Sequence, residues 1–167
     1  MTNPAPGTYT LDPELTAVRA DAKAMFGLIT VHGTFRLTSG QVTIAEDPGR
    51  SSVQASIEAG SFASGNATRD ADVVSPTLLD AKAYPEITFA GSGPRPDGTD
   101  WLLSGSVTAH GTTAPAEVRV SEARAEDGSA RFVARARLDR TSFGVTRRKG
   151  MVGRTVDLVI EAVGRPA

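Results

Sequence analysis

The chain has 167 residues, no cysteine and a formal net charge of −1. That length suits one domain spanning residues 1–167, able to bury a core without covalent staples. The missing cysteines exclude disulfides, thiolate metal sites and cysteine nucleophiles, and near-neutrality excludes a global field for nucleic acid or an anionic partner.

The N-terminal MTNPAPGTYTLDPELT has neither a basic n-region nor an apolar h-region. No apolar run reaches the roughly 18 residues of a membrane-spanning helix. The expectation is a cytoplasmic protein with no stable membrane insertion. From Val18 onward the dominant rhythm has period two, the mark of half-buried strands. Val18, Ala20 and Ala22 alternate with Arg19, Asp21 and Lys23, and Val53, Ala55, Ile57 and Ala59 alternate with Gln54, Ser56 and Glu58. Gly33 and Gly105 fall inside such runs and predict bulges or bends. Asp47-Pro48-Gly49, Asp97-Gly98 and Asp127-Gly128 are turn signals, since Gly supplies positive φ and Asp bonds its own backbone.

One segment breaks the rhythm, NATRDADVVSPTLLDAKAYP at 66–85. Ser75 as N-cap and Pro76 in the first turn predict a short helix at about 76–82 that covers one end of the sheet. Period two returns with Phe132, Ala134, Ala136 and Leu138, and again with Val156, Leu158, Ile160 and Ala162. Many short strands joined by hairpin turns predict an all-β barrel or sandwich.

Chemistry is sparse. The only histidines, His32 and His110, each precede a glycine and have no second ligand at metal spacing. There is no G-x-S-x-G elbow, and Asp70, Asp72 and Asp80 read as caps and solvated charges around the helix. The expectation is no catalytic residue, no metal and no enzyme. The exception is FGVTRRKGMVG at 143–153, within a segment (131–154) that holds eight Lys+Arg against Asp139 alone. Its only interleaved aromatics, Phe132 and Phe143, sit at apolar-face positions, which argues against nucleic acid. The remaining readings are a solvated loop or the mouth of an apolar pocket.

Four segments in order resemble the YceI-like family: TYTLDPELTAVRADAKAMFG, SFASGNATRDADVVSPTLLDAKAYPEITF, GSVTAHGTTAPAEVRV and DRTSFGVTRRKGMVGRTVDLVI. The resemblance runs from Tyr9 to Val163. It implies a lipocalin-like antiparallel up-and-down barrel of about eight strands with a short helix. It also implies an apolar cavity that holds an isoprenoid lipid or quinone, no other cofactor, and a homodimer. This chain has Ala24 and Asp72 where many members carry histidine, Leu78-Leu79 in place of an aromatic pair, and a shorter loop after Gly144.

Inward parity and family position together nominate a ligand site of Met25, Phe26, Leu28, Phe35, Phe62, Leu78, Leu79, Ile87, Phe89, Phe132, Phe143, Met151 and Val152. Arg147, Arg148 and Lys149 would meet a polar or phosphorylated head at the mouth. Small inward residues such as Ala20, Ala55, Ala134 and Ala136 suit a tunnel or, equally, a narrow closed barrel. The alternative function is a compact dimeric barrel without lipid that acts through a protein partner, for example in a stress response. The Arg131, Arg135 and Arg137 stripe and the cation loop would then be its interaction face.

Overall fold

The computed structural model describes residues 3–167. Ten strands and one α-helix follow in the order β1 (Gly7–Leu11), β2 (Ala17–Ala24), β3 (Ile29–Ile44), β4 (Ser52–Ala63), α1 (Ala67–Val74), β5 (Glu86–Ser92), β6 (Arg95–Asp97), β7 (Asp100–Ala109), β8 (Thr112–Glu126), β9 (Ser129–Asp139) and β10 (Val152–Pro166). All pairings between these strands are antiparallel. The β9–β10 ladder, from Ala130↔Gly164 to Asp139↔Thr155, closes the sheet on itself, so no long edge is left open to aggregation.

The ring has eight places, because two pairs of strands share one place each. Strands β1 and β2 both lie between β3 and β10: β1 pairs Gln41–Ile44, and β2 pairs Ile29–Phe35. They are one strand interrupted by Asp12–Thr16. The Asp12 N–H donates to the Val163 carbonyl at 2.8 Å, and the Val163 N–H donates to the Thr16 hydroxyl at 3.3 Å, so the interruption costs few backbone bonds. In the same way β5 and β6 share one place beside β7, broken at Gly93, whose φ is 69°. The result is the expected up-and-down barrel.

Alternation directs the apolar set inward as the sequence predicts. Val18, Ala20, Ala59 and Ala162 are buried, as are Leu37 and Val42 on β3. The Asp127-Gly128 turn has φ of 48° and 78°, and His110-Gly111 has 54° and 73°. These are the two-residue positive-φ turns whose twist matches a hairpin.

Two expectations need correction. The helix lies at Ala67–Val74, upstream of 76–82, and Ser75 ends it. Asn66 is the N-cap, accepting the Arg69 N–H at 3.0 Å. Pro76 disfavours helical geometry at the residue before it, and Ser75 is accordingly extended at φ −71°, ψ 167°. Residues 76–83 continue as consecutive turns that press Leu78 into the barrel end. The second correction concerns Gly33 and Gly105. Neither is itself the shifted residue: they pair regularly with Ala20 and Gly91, and the β3–β4 ladder shifts register just after Gly33, between Thr34 and Arg36. Glycine is needed there for space. The Phe62 ring lies over Gly33, and a Cβ on Gly105 would collide with the Ala90 carbonyl and the Gly91 backbone.

Gly105→Ala should therefore destabilise the barrel by about 1–3 kcal/mol through overpacking against backbone. Gly60→Ala, whose Cβ would meet only Ala81 at 3.7 Å, should leave the urea midpoint unchanged or slightly raised. Equal midpoints for the two variants would refute this account of Gly105.

Candidate functional site

The up-and-down order places alternate connections at opposite ends. One end gathers residues 3–6, the turn at 45–51 and Gly93-Pro94. The other gathers the 25–28 turn, α1 with residues 75–85, His110-Gly111, and the 140–151 segment. Between them lies a cavity of about 540 Å³, within the range of small-ligand sites. Its wall is aliphatic and aromatic: Val18, Leu37, Val53, Ile57, Phe89, Leu103, Val120, Phe132, Leu158 and Ile160, with Ala55, Ala134 and Ala136 leaving room. It reaches the first end, where Pro4, Pro6, Glu46, Pro48, Pro94 and Trp101 surround its mouth. Pro4 is buried there, and the Tyr9 hydroxyl holds this N-terminal segment by donating to the Ala5 carbonyl at 2.7 Å.

The second end is sealed. Leu78, Val107, Ala109, Phe143 and Val145 form a buried cluster across it, backed by Val73, Leu138 and Val152. Beneath the seal lies Arg140, only 8% exposed. Its Nε donates to the Gly153 carbonyl at 2.9 Å. Its Nη1 donates to Val145 and Arg147 at 2.8 Å each, and its Nη2 to Val152 at 3.0 Å. One guanidinium thus ties together carbonyls on both sides of the RRKG loop, and the Arg147 carbonyl within it. Burial lowers the Arg140 pKa from its usual value, and the neighbouring Asp139 opposes the shift. Asp139 is held below the usual carboxylate range, first by the Thr141 hydroxyl donating at 2.6 Å and then by the Thr141 N–H and Arg154.

The nominated residues lie in different places. Ile87, Phe89 and Phe132 line the cavity. Leu78, Phe143 and Val152 belong to the seal. Leu79 is half-buried in the turns after α1, while Phe35 and Phe62 meet with tilted rings, centroids 5.2 Å apart, and Phe62 lies over Gly33. Met25, Phe26, Leu28 and Met151 stand outside the sealed end, 47–81% exposed. Arg147, Arg148 and Lys149 are exposed there as well, and Arg148 pairs with Asp72 at 2.9 Å. The loop that looked like a mouth is the outer face of the closed end. The wall residues Leu37, Trp101, Leu103 and Val120 escaped nomination, although inward parity on their strands points to them.

Other sites are poorer. Among the described residues no group of three His, Asp or Glu could hold a metal. No titratable side chain lines the cavity below its rim, where Glu46 and Glu122 stand. Of the arginine stripe, Arg137 is tied to Asp157 at 2.7 Å, and Arg131 lies 4.0 Å from both Glu122 and Glu161. That stripe is largely neutralised by its own neighbours. A groove of about 560 Å³ runs outside the wall over Gln41, Gln54, Ser56, Thr88, Ser106 and Thr108; it is open and uncharged.

Comparison with known proteins agrees with this geometry. The family model described as YceI-like domain matches residues 9–164. The chain is 28% identical over 144 residues to a UPF0312 protein of Enterobacter sp. strain 638, covering 83% of this chain and 75% of that one. It is 27% identical over 144 residues to Protein YceI of Escherichia coli O17:K52:H18, with the same shares covered. The crystal structure of Burkholderia cenocepacia BcnA superposes with a TM-score of 0.82 at 24% identity, over 92% of this chain and 98% of that one. A polyisoprenoid binding domain from Saccharophagus degradans, implicated in plant cell wall breakdown, superposes with a TM-score of 0.72 at 15% identity, over 95% and 98%.

Arg140→Gln should cost about 3 kcal/mol or more, because it strands several buried carbonyls at once. Arg140→Lys should restore only part, since an ammonium lacks the planar fork. Chemical denaturation reads both, and a lysine variant as stable as the parent would refute the clamp. Asp139 adds an acid-sensitive contribution. Its native pKa is lowered, so it stabilises fully above the unfolded carboxylate value of about 4 and less as pH falls through the native value. Asp139→Asn should flatten the stability–pH curve below about pH 4, and an unchanged slope would count against the assignment.

Proposed function

The chain belongs to the YceI-like family, and from that premise we propose that it binds the apolar chain of an isoprenoid-type lipid, a quinone or a polyprenyl alcohol, inside the barrel. It works as a carrier or store without catalysis. The observation that carries the reading is the largely apolar cavity that opens at one end of the barrel, with a buried apolar cluster across the other. A flexible hydrocarbon tail needs no directional contact. Each buried CH₂ is worth about 0.8 kcal/mol, so a short tail already supplies useful affinity. The Saccharophagus degradans neighbour, described as a polyisoprenoid binding domain, supports the same ligand class.

The mouth also speaks to the head group. Its charged side chains are Glu46 and Glu122, and Trp101 is present to donate an indole N–H. Glu122 is paired with Arg124 at 3.1 Å. The rim favours an uncharged head over a diphosphate, because no lysine or arginine lines it and Glu46 repels anions. The cations of the RRKG loop lie at the opposite end and cannot meet a head placed there. Pairing into a homodimer belongs to the same proposal. The uncharged outer face around Gln54, Ser56 and Thr88 can meet its own copy without like-charge repulsion, and the Ser56 hydroxyl is buried there without a partner.

Trp101 is the only tryptophan, so short-chain quinones should quench its fluorescence as they fill the cavity. Ala136→Phe, which occupies the wall, should weaken that binding about tenfold without unfolding the protein. Replacing Arg147, Arg148 and Lys149 together with Gln should leave quinone affinity unchanged. Quenching that is insensitive to Ala136→Phe, or abolished by the triple variant, would defeat the reading. Mass spectrometry of an organic extract of the purified protein identifies any resident lipid directly.

A further inference from the structure

The closed end carries a feature that ligand binding does not use. At the β2–β3 turn Met25 and Phe26 both have positive φ, 50° and 58°, a conformation bulky side chains rarely adopt. The turn is held in it from outside. The Met25 N–H donates to the Met151 carbonyl and the Phe26 N–H to Gly150, while the Phe26 ring crosses Gly150. Two loops are thereby locked together, and what they present is apolar. Phe26 is 79% exposed and Leu28 81%, with Met25 and Met151 at 47% each. Exposed apolar residues are ordinary singly, but a contiguous knob built from two cross-linked loops marks an interaction site.

The knob is flanked by cations. Arg147 and Lys149 belong to the same loop as Met151, and Lys23 packs against Gly153. Of the carboxylates at this end, Asp72 pairs with Arg148 at 2.9 Å, Asp139 with Arg154 at 2.6 Å and Asp21 with His32 at 2.7 Å, and Asp70 accepts from the Ser64 hydroxyl; Asp80 and Glu86 stand away from the three cations. Among the described residues Lys23, Arg147 and Lys149 have no carboxylate within 4.0 Å. A two-fold contact between copies would set this cluster against itself, whereas an anionic surface complements it. Apolar tips beside unpaired cations are the composition of an interfacial anchor.

We propose that the closed end of the barrel docks reversibly on an anionic lipid bilayer, with Phe26, Leu28 and Met151 entering the head-group layer and Lys23, Arg147 and Lys149 meeting lipid phosphates. The proposal is independent of cavity filling, because the knob and the mouth lie at opposite ends. The test is co-sedimentation of the full chain with vesicles of phosphatidylcholine alone and of phosphatidylcholine with phosphatidylglycerol. Binding is expected only to the anionic vesicles and should weaken as salt rises. The Phe26→Ser/Leu28→Ser and Arg147→Gln/Lys149→Gln variants should each bind about tenfold less, with unchanged thermal unfolding showing that they fold. No binding to anionic vesicles overturns the proposal, as does equal binding to neutral ones. So does a parent dimer that Phe26→Ser/Leu28→Ser converts to monomer, because the knob would then be buried between copies.

Discussion

The buried guanidinium of Arg140 is the constraint on which the closed end depends. Moving a cation from water into protein is costly, by several kcal/mol even after relaxation. Here no carboxylate bonds it. The compensation comes from four backbone carbonyls, of Val145, Arg147, Val152 and Gly153, which take four of the five N–H donors a guanidinium has. The same bonds solve a second problem. A loop of glycine and charged residues between β9 and β10 has carbonyls that no strand partner satisfies. Arg140 supplies those partners at one point, so an irregular segment becomes a rigid floor. Phe143 and Val145 can then face inward while their neighbours Arg147 and Lys149 face water.

A floor at one end changes what the small inward residues mean. Alanine on the wall of an eight-place barrel allows either tight closure or unfilled volume. Below the mouth, large residues from several strands already meet across the seal. Along the wall, Ala55, Ala134 and Ala136 stand beside valines and isoleucines and leave about 540 Å³ unfilled. The space is lined mainly by apolar side chains, and unfilled apolar volume forfeits dispersion contacts. Filling it with a hydrocarbon tail regains them. The cost of holding an imperfectly packed barrel is met by the closed hydrogen-bond ladder, which has no long free edge.

Most of the barrel was legible because one face of each strand is wet. Period two separates Val53, Ala55 and Ile57 from Gln54, Ser56 and Glu58 without further information. The helix was displaced because Ser75-Pro76 is locally ambiguous: it can open one helix or close another, and the Asn66 cap decides only once the preceding strand is known to end at Ala63. Placing a site along the barrel axis needs more than alternation. Parity says which residues point inward but not at which end of a barrel they lie. That second fact follows from strand order, since alternate connections of a meander share an end. The crossover that carries α1 and the RRKG loop leave the same end, so a plug and a mouth could not both be there. The expected eight places hold although the chain forms ten strands, because β1 and β2 fill one place across the break at Asp12–Thr16, as β5 and β6 do across Gly93.

The two ends of this barrel have opposite chemistry, and that polarity is the deeper content of the fold. The mouth is ringed by prolines, two carboxylates and an indole. The closed end displays aromatic and aliphatic tips beside unpaired cations. Nothing but the strands connects them, and a hydrogen-bonded barrel does not bend readily between its ends. A surface that attracts the cations would therefore orient the whole molecule with its mouth toward water. In that orientation a lipid of the proposed kind would pass between the cavity and the aqueous side, and not directly into the bilayer beneath. Tail-first entry would leave its head group at the rim, where an acceptor on the aqueous side would meet it.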